Sequence, residues 1–164
     1  MNFSSDKYKF ASRFIQSTNK GLLFPGDGRI EVAAGVLVPK KKDECGAVYE
    51  TSVYVHEDEN DIPWDVGVKM FKVNGTDAEK KVPVASIELP CQELDELGLS
   101  VEVQGNDYSE KHANIVGWSD ESGMRDIKAA ELLRKGKVVL RPERETELRE
   151  KAKRVKSRSG VAEK

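Results

Sequence analysis

The sequence has few of the side chains from which enzymes most often build reactive centres. It contains two histidines and two cysteines, with neither a C-x-x-C nor an H-E-x-x-H spacing, so we expect no zinc site of the usual kind. Cys45 and Cys91 lie far apart in a chain without an export signal, and we expect both thiols to be reduced. We therefore predict neither a metal nor a cofactor.

Motifs that bind phosphates or position nucleophiles are missing as well. The absence of G-x-x-x-x-G-K-[ST] and of G-x-S-x-G argues against P-loop chemistry and against acyl transfer from a serine elbow. Gly26-Asp27-Gly28 begins like a dinucleotide fingerprint, but Glu31 stands where the third glycine is required. Long apolar runs and the apolar core of a secretory signal are also lacking, so we expect a cytoplasmic protein without a membrane partner.

The apolar residues that are present follow mainly the periodicity of strands. A chain of 164 residues is long enough for one domain with a proper core. Alternation predicts strands over residues 10–15, 30–38, 47–55, 82–89, 99–103 and 112–118, with a short one at 138–140. Alternation of Val66, Val68 and Met70 favours a strand over 65–73 as well. This succession favours an α+β fold with a largely antiparallel sheet of five to seven strands and two or three helices.

Two helices are indicated by the residues at their ends, and a third follows them. Pro90 and Gly98 bracket a short helix, and Gly136 ends a longer one that begins near residue 123. The longer helix is expected to bury a stripe formed by Met124, Ile127, Ala130 and Leu133. Pro142 opens a last helix that is acidic early and basic late. We predict one globular domain over 1–141, and a peripheral charged helix with a disordered tail over 142–164.

The most distinctive segment runs from His112 to Trp118, HANIVGW. As a strand it would place His112, Asn114, Val116 and Trp118 on one face. The imidazole of His112, the amide of Asn114 and the indole of Trp118 are therefore the candidate binding groups. His112 has three open interpretations. It could exchange a proton near pH 7, it could line a pocket, or it could serve the structure by hydrogen bonding to a loop such as 107–109.

A hydrolase or nuclease with His112 as its acid or base is the catalytic alternative. The partners available to it are His56, Asp65 and Asp107. Asp65, followed later by Glu79-Lys80-Lys81, also echoes the carboxylate and E-x-K of nucleases that hold a divalent ion. Glu79 to Lys81 follows a polar turn rather than a buried strand, which favours a solvated charge cluster over that nuclease site.

Charge is segregated along the chain, although the net charge is only −2. Residues 43–61 and 82–110 each contain seven acids and no lysine or arginine, whereas residues 1–42 contain eight bases against three acids. Six more bases are close together near the C-terminus: Arg149, Lys151, Lys153, Arg154, Lys156 and Arg158. This basic stretch could bind an acidic partner or nucleic acid, but it has no aromatic residue on which a base could stack.

The pattern HA-x-I-x-G, from His112 to Gly117, resembles a late segment of small bacterial proteins of uncharacterised function, in which it also precedes a helix. The resemblance covers residues 99–135. It implies a small stand-alone or accessory domain, such as a bacterial operon accessory in defence or stress, and it implies no reaction. With the scarcity of reactive groups and the segregated charge, it leads us to predict a non-catalytic interaction protein that binds a protein partner. Nucleic-acid binding through the basic C-terminal helix stays as a further alternative.

Overall fold

We describe the fold from a computed structural model of the chain, for residues 8–16, 21–41, 49–74 and 83–155. The strands are β1 (Phe10–Gln16), β2 (Leu22–Gly26), β3 (Arg29–Val32), β4 (Lys40–Lys41), β5 (Tyr49–His56), β6 (Pro83–Pro90), β7 (Ser100–Val103), β8 (His112–Val116) and β9 (Lys137–Leu140). The α-helices are α1 (Trp64–Asn74), α2 (Cys91–Glu96), α3 (Ser122–Lys135) and α4 (Glu145–Arg154). Single 3-10 turns span Ala34–Val36 and Pro142–Arg144.

Seven of the strands form one antiparallel sheet. Its order is β7-β8-β5-β1-β6-β9, and β4 pairs with the start of β5. Strands β2 and β3 form a separate hairpin. The sequence-based prediction of an α+β fold with a largely antiparallel sheet is thus confirmed. The first long strand in the chain, β1, lies at the centre of the sheet, between β5 and β6.

The apolar core lies on one face of this sheet, because alternate residues of the central strands point there. Ala11 and Ile15 of β1 are almost completely buried on this face, next to inward side chains of β5, β6 and β8. Helices α2 and α3 cover the core with Leu94 and Leu132, which are both fully buried. Gly136 enters β9 so close to β6 that an added Cβ would lie 2.7 Å from the tips of two core side chains. Any side chain at this position would force Ile87 and Leu89 to shift.

Helix α1 lies against the opposite face of the sheet, where the sequence favoured a strand over 65–73. That prediction was wrong because Val66 and Met70 also lie four residues apart, which places them on one face of a helix. Gly67 lets the helix approach closely, since an added Cβ would lie 2.9 Å from the ring of Phe14. Trp64 contacts the same ring, with centroids 6.1 Å apart. The helix covers this face near β1 and β6 and reaches β5 through Met70, whose sulfur is 3.4 Å from the Tyr54 hydroxyl.

Two further expectations differ in detail. The strand expected over 30–38 ends at Val32, and a 3-10 turn follows from Ala34. In α3 the buried residues are Ala129 and Leu132, whereas Ile127 of the expected stripe is 57% exposed. The sequence located this helix correctly, and Leu133 of the expected stripe does pack against the core, but Met124 and Ile127 are exposed. The buried face follows from contacts with the 3-10 turn, β6 and α2, which one helix sequence does not encode.

The C-terminal helix α4 packs on the β2–β3 hairpin. Leu148 and Ala152 are buried, and the Lys151 ammonium lies 4.5 Å from the centre of the Phe24 ring. Residues 156–164, which hold the predicted tail, lie outside the described part of the chain. Across the described residues, every helix is too short or too polar to cross a membrane.

Candidate functional site

Polar side chains are concentrated on the sheet face opposite the core. Register places His112 of β8 opposite Tyr54 of β5, and Tyr54 opposite Ser12 of β1. Antiparallel partners point to the same side of a sheet, so these side chains form a row across three strands. Ser52 and Asn114 are paired in the next row. We call this surface the polar face.

His112 forms hydrogen bonds through both of its ring nitrogens. Its Nδ1 is 2.9 Å from the carbonyl oxygen of Gln104, and its Nε2 is 2.8 Å from the hydroxyl oxygen of Ser52. A carbonyl can only accept, so Nδ1 carries the proton of the neutral ring, and Nε2 accepts from the Ser52 hydroxyl. The ring also stands edge-on to Tyr54, with centroids 5.3 Å apart. His112 is thus held in a fixed orientation.

His56 repeats this arrangement at the end of β5. Its Nδ1 is 2.9 Å from the Asp58 carbonyl oxygen, and its Nε2 is 2.7 Å from the Ser12 hydroxyl oxygen. The ring is stacked on Phe10 at 5.7 Å, and His56 and Ser12 are both buried. A substrate could not reach Ser12 without local opening of the sheet. This second pair therefore stabilises the junction of β1 with β5.

A buried carboxylate lies beside the His56 pair. Glu88 is only 2% exposed, and its Oε2 accepts a hydrogen bond of 2.6 Å from the backbone N–H of Asn60. Its Oε1 is 3.6 Å from the ammonium of Lys137, which forms a shorter ion pair of 2.7 Å with Glu59. The hydrogen bond with Glu59 is the main reason why the pKa of Lys137 is raised. These contacts hold the acidic loop after β5 against the sheet.

The Ser52–His112 pair differs from the buried pair because Ser52 is exposed. A serine hydroxyl that donates to an imidazole is the arrangement required when histidine acts as a general base. In a serine triad a carboxylate accepts from Nδ1, whereas here a backbone carbonyl takes that position. The pair thus supplies two members of a catalytic triad, the hydroxyl and the base.

The other predicted catalytic groups are placed apart from this pair. Asp65 lies exposed in the first turn of α1, and Asp107 lies exposed in the turn between β7 and β8. In the ranges that the structure describes, neither carboxylate forms a hydrogen bond or ion pair with His56 or His112. Those ranges also contain no group of three or more potential ligands placed to hold a metal ion. The Glu79 to Lys81 segment lies outside them.

The predicted binding row from His112 to Trp118 is divided by the structure. Strand β8 ends at Val116, and Gly117, with φ of +97°, turns the chain. Trp118 therefore packs into the apolar core, and its indole N–H donates to the carbonyl of Ile115 at 2.9 Å. Asn114 stays on the polar face, buried, and its amide donates to the side chain of Gln104 at 3.1 Å.

The basic residues of α4 are partly used within the helix region. Arg149 forms an ion pair with Glu145 at 2.8 Å, and Lys151 covers Phe24. Lys153 and Arg154 are exposed and form no ion pair with another residue of the described chain. Lys156 and Arg158 fall beyond the described part of the chain.

Sequence reasoning missed Ser12, Ser52 and Arg13. Ser12 and Ser52 meet their histidines only through the register of the sheet, because each serine is 44 or 60 residues from its histidine in the chain. Alternation alone does not give that register. Arg13 did carry a signal. It stands between Ala11 and Ile15 at a position where alternation expects an apolar, core-facing side chain. A cation at such a position indicates that its charged group has a polar partner there, which in the structure is the carbonyl of Ser52.

Comparison with known proteins adds no relative. No family model matches the chain, and no curated protein or solved structure is significantly similar to it.

Proposed function

We propose that the protein is a non-catalytic interaction domain that recognises a protein partner by charge. The observation that carries the proposal is the grouping of acids at one end of the sheet. Strands β5, β6 and β7 all finish at this end, because β1 and β8 run antiparallel to their neighbours. The segments that follow these strands are 57–61, 91–96 and 104–111.

These three segments bring together nine acids and one lysine, and we call them the acidic end. The acids are Glu57, Asp58, Glu59, Asp61, Glu93, Asp95, Glu96, Asp107 and Glu110. At the other end of the sheet, residues 40–41 and 141–155 contain eight bases and four acids. The fold thus brings three acidic segments of the chain to one end of the sheet, where, within the described residues, Lys135 and Lys137 pair with only two of the nine acids, Glu93 and Glu59. An excess of acids at one end steers encounters and selects partners of complementary charge.

The His56 pair supports a role without catalysis. His56 and Ser12 are both buried, and the ring fixes the contact between β1 and the loop after β5. Because the acidic end has an excess of acids, the proposed partner presents a basic surface to it. The exposed acids there, rather than the imidazoles, supply the contacts.

The test uses two variants with the same change in charge. The acidic-end variant neutralises exposed acids that form no ion pair with another described residue: Glu57→Gln, Asp95→Asn and Glu96→Gln. The control variant neutralises three exposed acids elsewhere: Asp27→Asn, Asp120→Asn and Asp126→Asn. The partner is identified by crosslinking in a lysate of the native cells. Its binding to each purified variant is then measured against ionic strength.

We expect the association rate to fall about tenfold or more between low and physiological salt, as for other electrostatically steered complexes. The acidic-end variant should associate more slowly, and the control should match the unaltered protein. Equal losses in both variants, or a complex that ignores salt, would contradict the proposal.

The exposed Ser52–His112 pair favours a second candidate, a hydrolase in which Ser52 attacks and His112 accepts its proton. Ser52→Ala separates the two functions. The interaction domain should keep its partner affinity in this variant, whereas a hydrolase should lose turnover of ester substrates by a factor of 10² or more, as an order of magnitude. Ser119→Ala, a serine remote from the polar face, is the matched control.

A further inference from the structure

The central strands β1 and β5 separate part-way along their length. They pair from Phe10 to Ser12, and the start of β5 pairs instead with the short strand β4. Between these two ladders the carbonyl of Ser52 accepts a hydrogen bond of 2.7 Å from Nη1 of Arg13. The guanidinium thus supplies the donor that a neighbouring strand would otherwise provide. A side chain, not a backbone, fills the gap.

Two cavities adjoin this gap, because Arg13 lines both of them. One, of about 270 Å³, is lined by Arg13, Phe14, Gln16, Lys40, Ser52, Tyr54 and Met70. The other, of about 300 Å³, shares Arg13, Phe14 and Lys40 with it and extends to the turn at Ala33 to Val36. We call the pair the Arg13 cleft. Two cations and no carboxylate line it within the described residues.

The positive charge of the cleft is not neutralised by the described chain. No carboxylate of that part of the protein forms an ion pair with Arg13 or Lys40. Burial lowers the pKa of Arg13. Glu50, opposite Lys40 in the register, lines neither cavity. A half-buried guanidinium without an ion-pair partner in the described ranges is costly to a fold, and such groups are concentrated at binding sites.

We propose that the Arg13 cleft binds the phosphate group of a small phosphate monoester between Arg13 and Lys40. Guanidinium presents a planar fork of donors that matches phosphate oxygens, and an ammonium adds a point charge. A phosphate monoester carries about −1.5 to −2 charges near pH 7, which matches two cations. The rings of Phe14 and Tyr54 and the thioether of Met70 form an apolar wall for the remainder of the molecule. The volume is at the lower end of ligand pockets, which restricts the ligand to a small molecule.

This inference does not depend on the proposed function, because the cleft lies away from the acidic end. It also gives the Ser52–His112 pair a positioning role. His112 orients the hydroxyl of a residue whose carbonyl holds the guanidinium. The imidazole of His112 would then affect ligand binding indirectly, by fixing Ser52 and through it Arg13.

The test is calorimetric titration of the full chain at constant ionic strength with inorganic phosphate, adenosine monophosphate, ribose 5-phosphate and acetate. Lys40→Gln removes one cation from an exposed position with little risk to the fold. Lys41→Gln is its matched control, because Lys41 is equally exposed but points to the other face and lines neither cavity. Arg13→Gln removes the central cation, and circular dichroism checks that this variant is folded.

We expect saturable binding of the phosphates and weaker binding of acetate. Lys40→Gln should weaken phosphate binding about tenfold, the effect of one charge-assisted contact, and Lys41→Gln should change it less than twofold. Folded Arg13→Gln should lose binding. Tighter binding of one monoester than of inorganic phosphate identifies the organic part as a contact, whereas equal affinities assign the cleft to phosphate alone. Failure of all three phosphates to saturate, or equal losses in the two lysine variants, overturns the proposal.

Discussion

The orientation of helix α3 can be tested by two truncations on the same helix. Leu132 is fully buried against the core, whereas Ile127 is 57% exposed, although an apolar stripe in the sequence assigned Ile127 to the buried side. Leu132→Ala removes a buried side chain and leaves a cavity. Such changes cost about 2–5 kcal/mol in well-packed cores. Ile127→Ala removes mainly solvated surface and should alter the free energy of unfolding by about 0.5 kcal/mol or less.

The assay is equilibrium unfolding in urea, followed by far-ultraviolet circular dichroism. Both variants introduce alanine into the same helix, and alanine favours helix at either position, so propensity does not explain a large difference. We expect the Leu132→Ala midpoint to move to much lower urea with an unchanged slope, which indicates lost stability rather than a different unfolded state. The Ile127→Ala midpoint should stay close to that of the unaltered protein.

Similar losses for the two variants, or a larger loss for Ile127→Ala, would refute the packing of α3 described above. That outcome would mean that the stripe from Met124 to Leu133 faces the core.

Two further expectations concern a glycine and a thiol. Gly136→Ala should destabilise the protein by about 1–3 kcal/mol in the same urea assay, because its Cβ would lie 2.7 Å from core atoms of β6. The control Gly123→Ala has open space around it and should be neutral or stabilising by up to about 1 kcal/mol. Burial raises the pKa of the Cys91 thiol to about 12. In a Cys45→Ser variant we therefore expect Cys91 to be alkylated slowly at pH 8 until urea unfolds the chain. Equal rates of alkylation with and without urea would contradict this. Since this pKa lies above the ordinary 9.0, thiol ionisation should also lower stability as the pH rises from about 9 to 12.

The sequence allowed the sheet to be predicted because its strands alternate strongly. In β5 the residues from Thr51 to His56 separate cleanly into an apolar side and a polar side, and the structure keeps that division. Alternation was misleading for Val66 to Met70. Val66 and Met70 fit the period of two of a strand, but their spacing of four also places them on one face of a helix. Alternation was also too simple for 30–38, where the backbone leaves the strand after Val32.

The polar face was only half visible from the sequence. The strand from His112 to Val116 placed His112 and Asn114 on one side correctly, because they are two positions apart in a strand. Their partners could not be predicted. Ser52 meets His112 only through the pairing of β5 with β8, and Arg13 meets Ser52 only where β1 and β5 separate. Such contacts depend on register, which is set by the whole sheet.

The central position of β1 has a consequence for synthesis. Its two neighbours are β5, which ends at His56, and β6, which ends at Pro90. While the ribosome is still making the first half of the chain, β1 therefore has an unpaired edge, and an open edge can pair with other chains. This edge of β1 stays open until β6 has emerged and paired with it, and β9 then adds to the far edge of β6. Fragments that end before β6 should therefore aggregate more readily than the full chain.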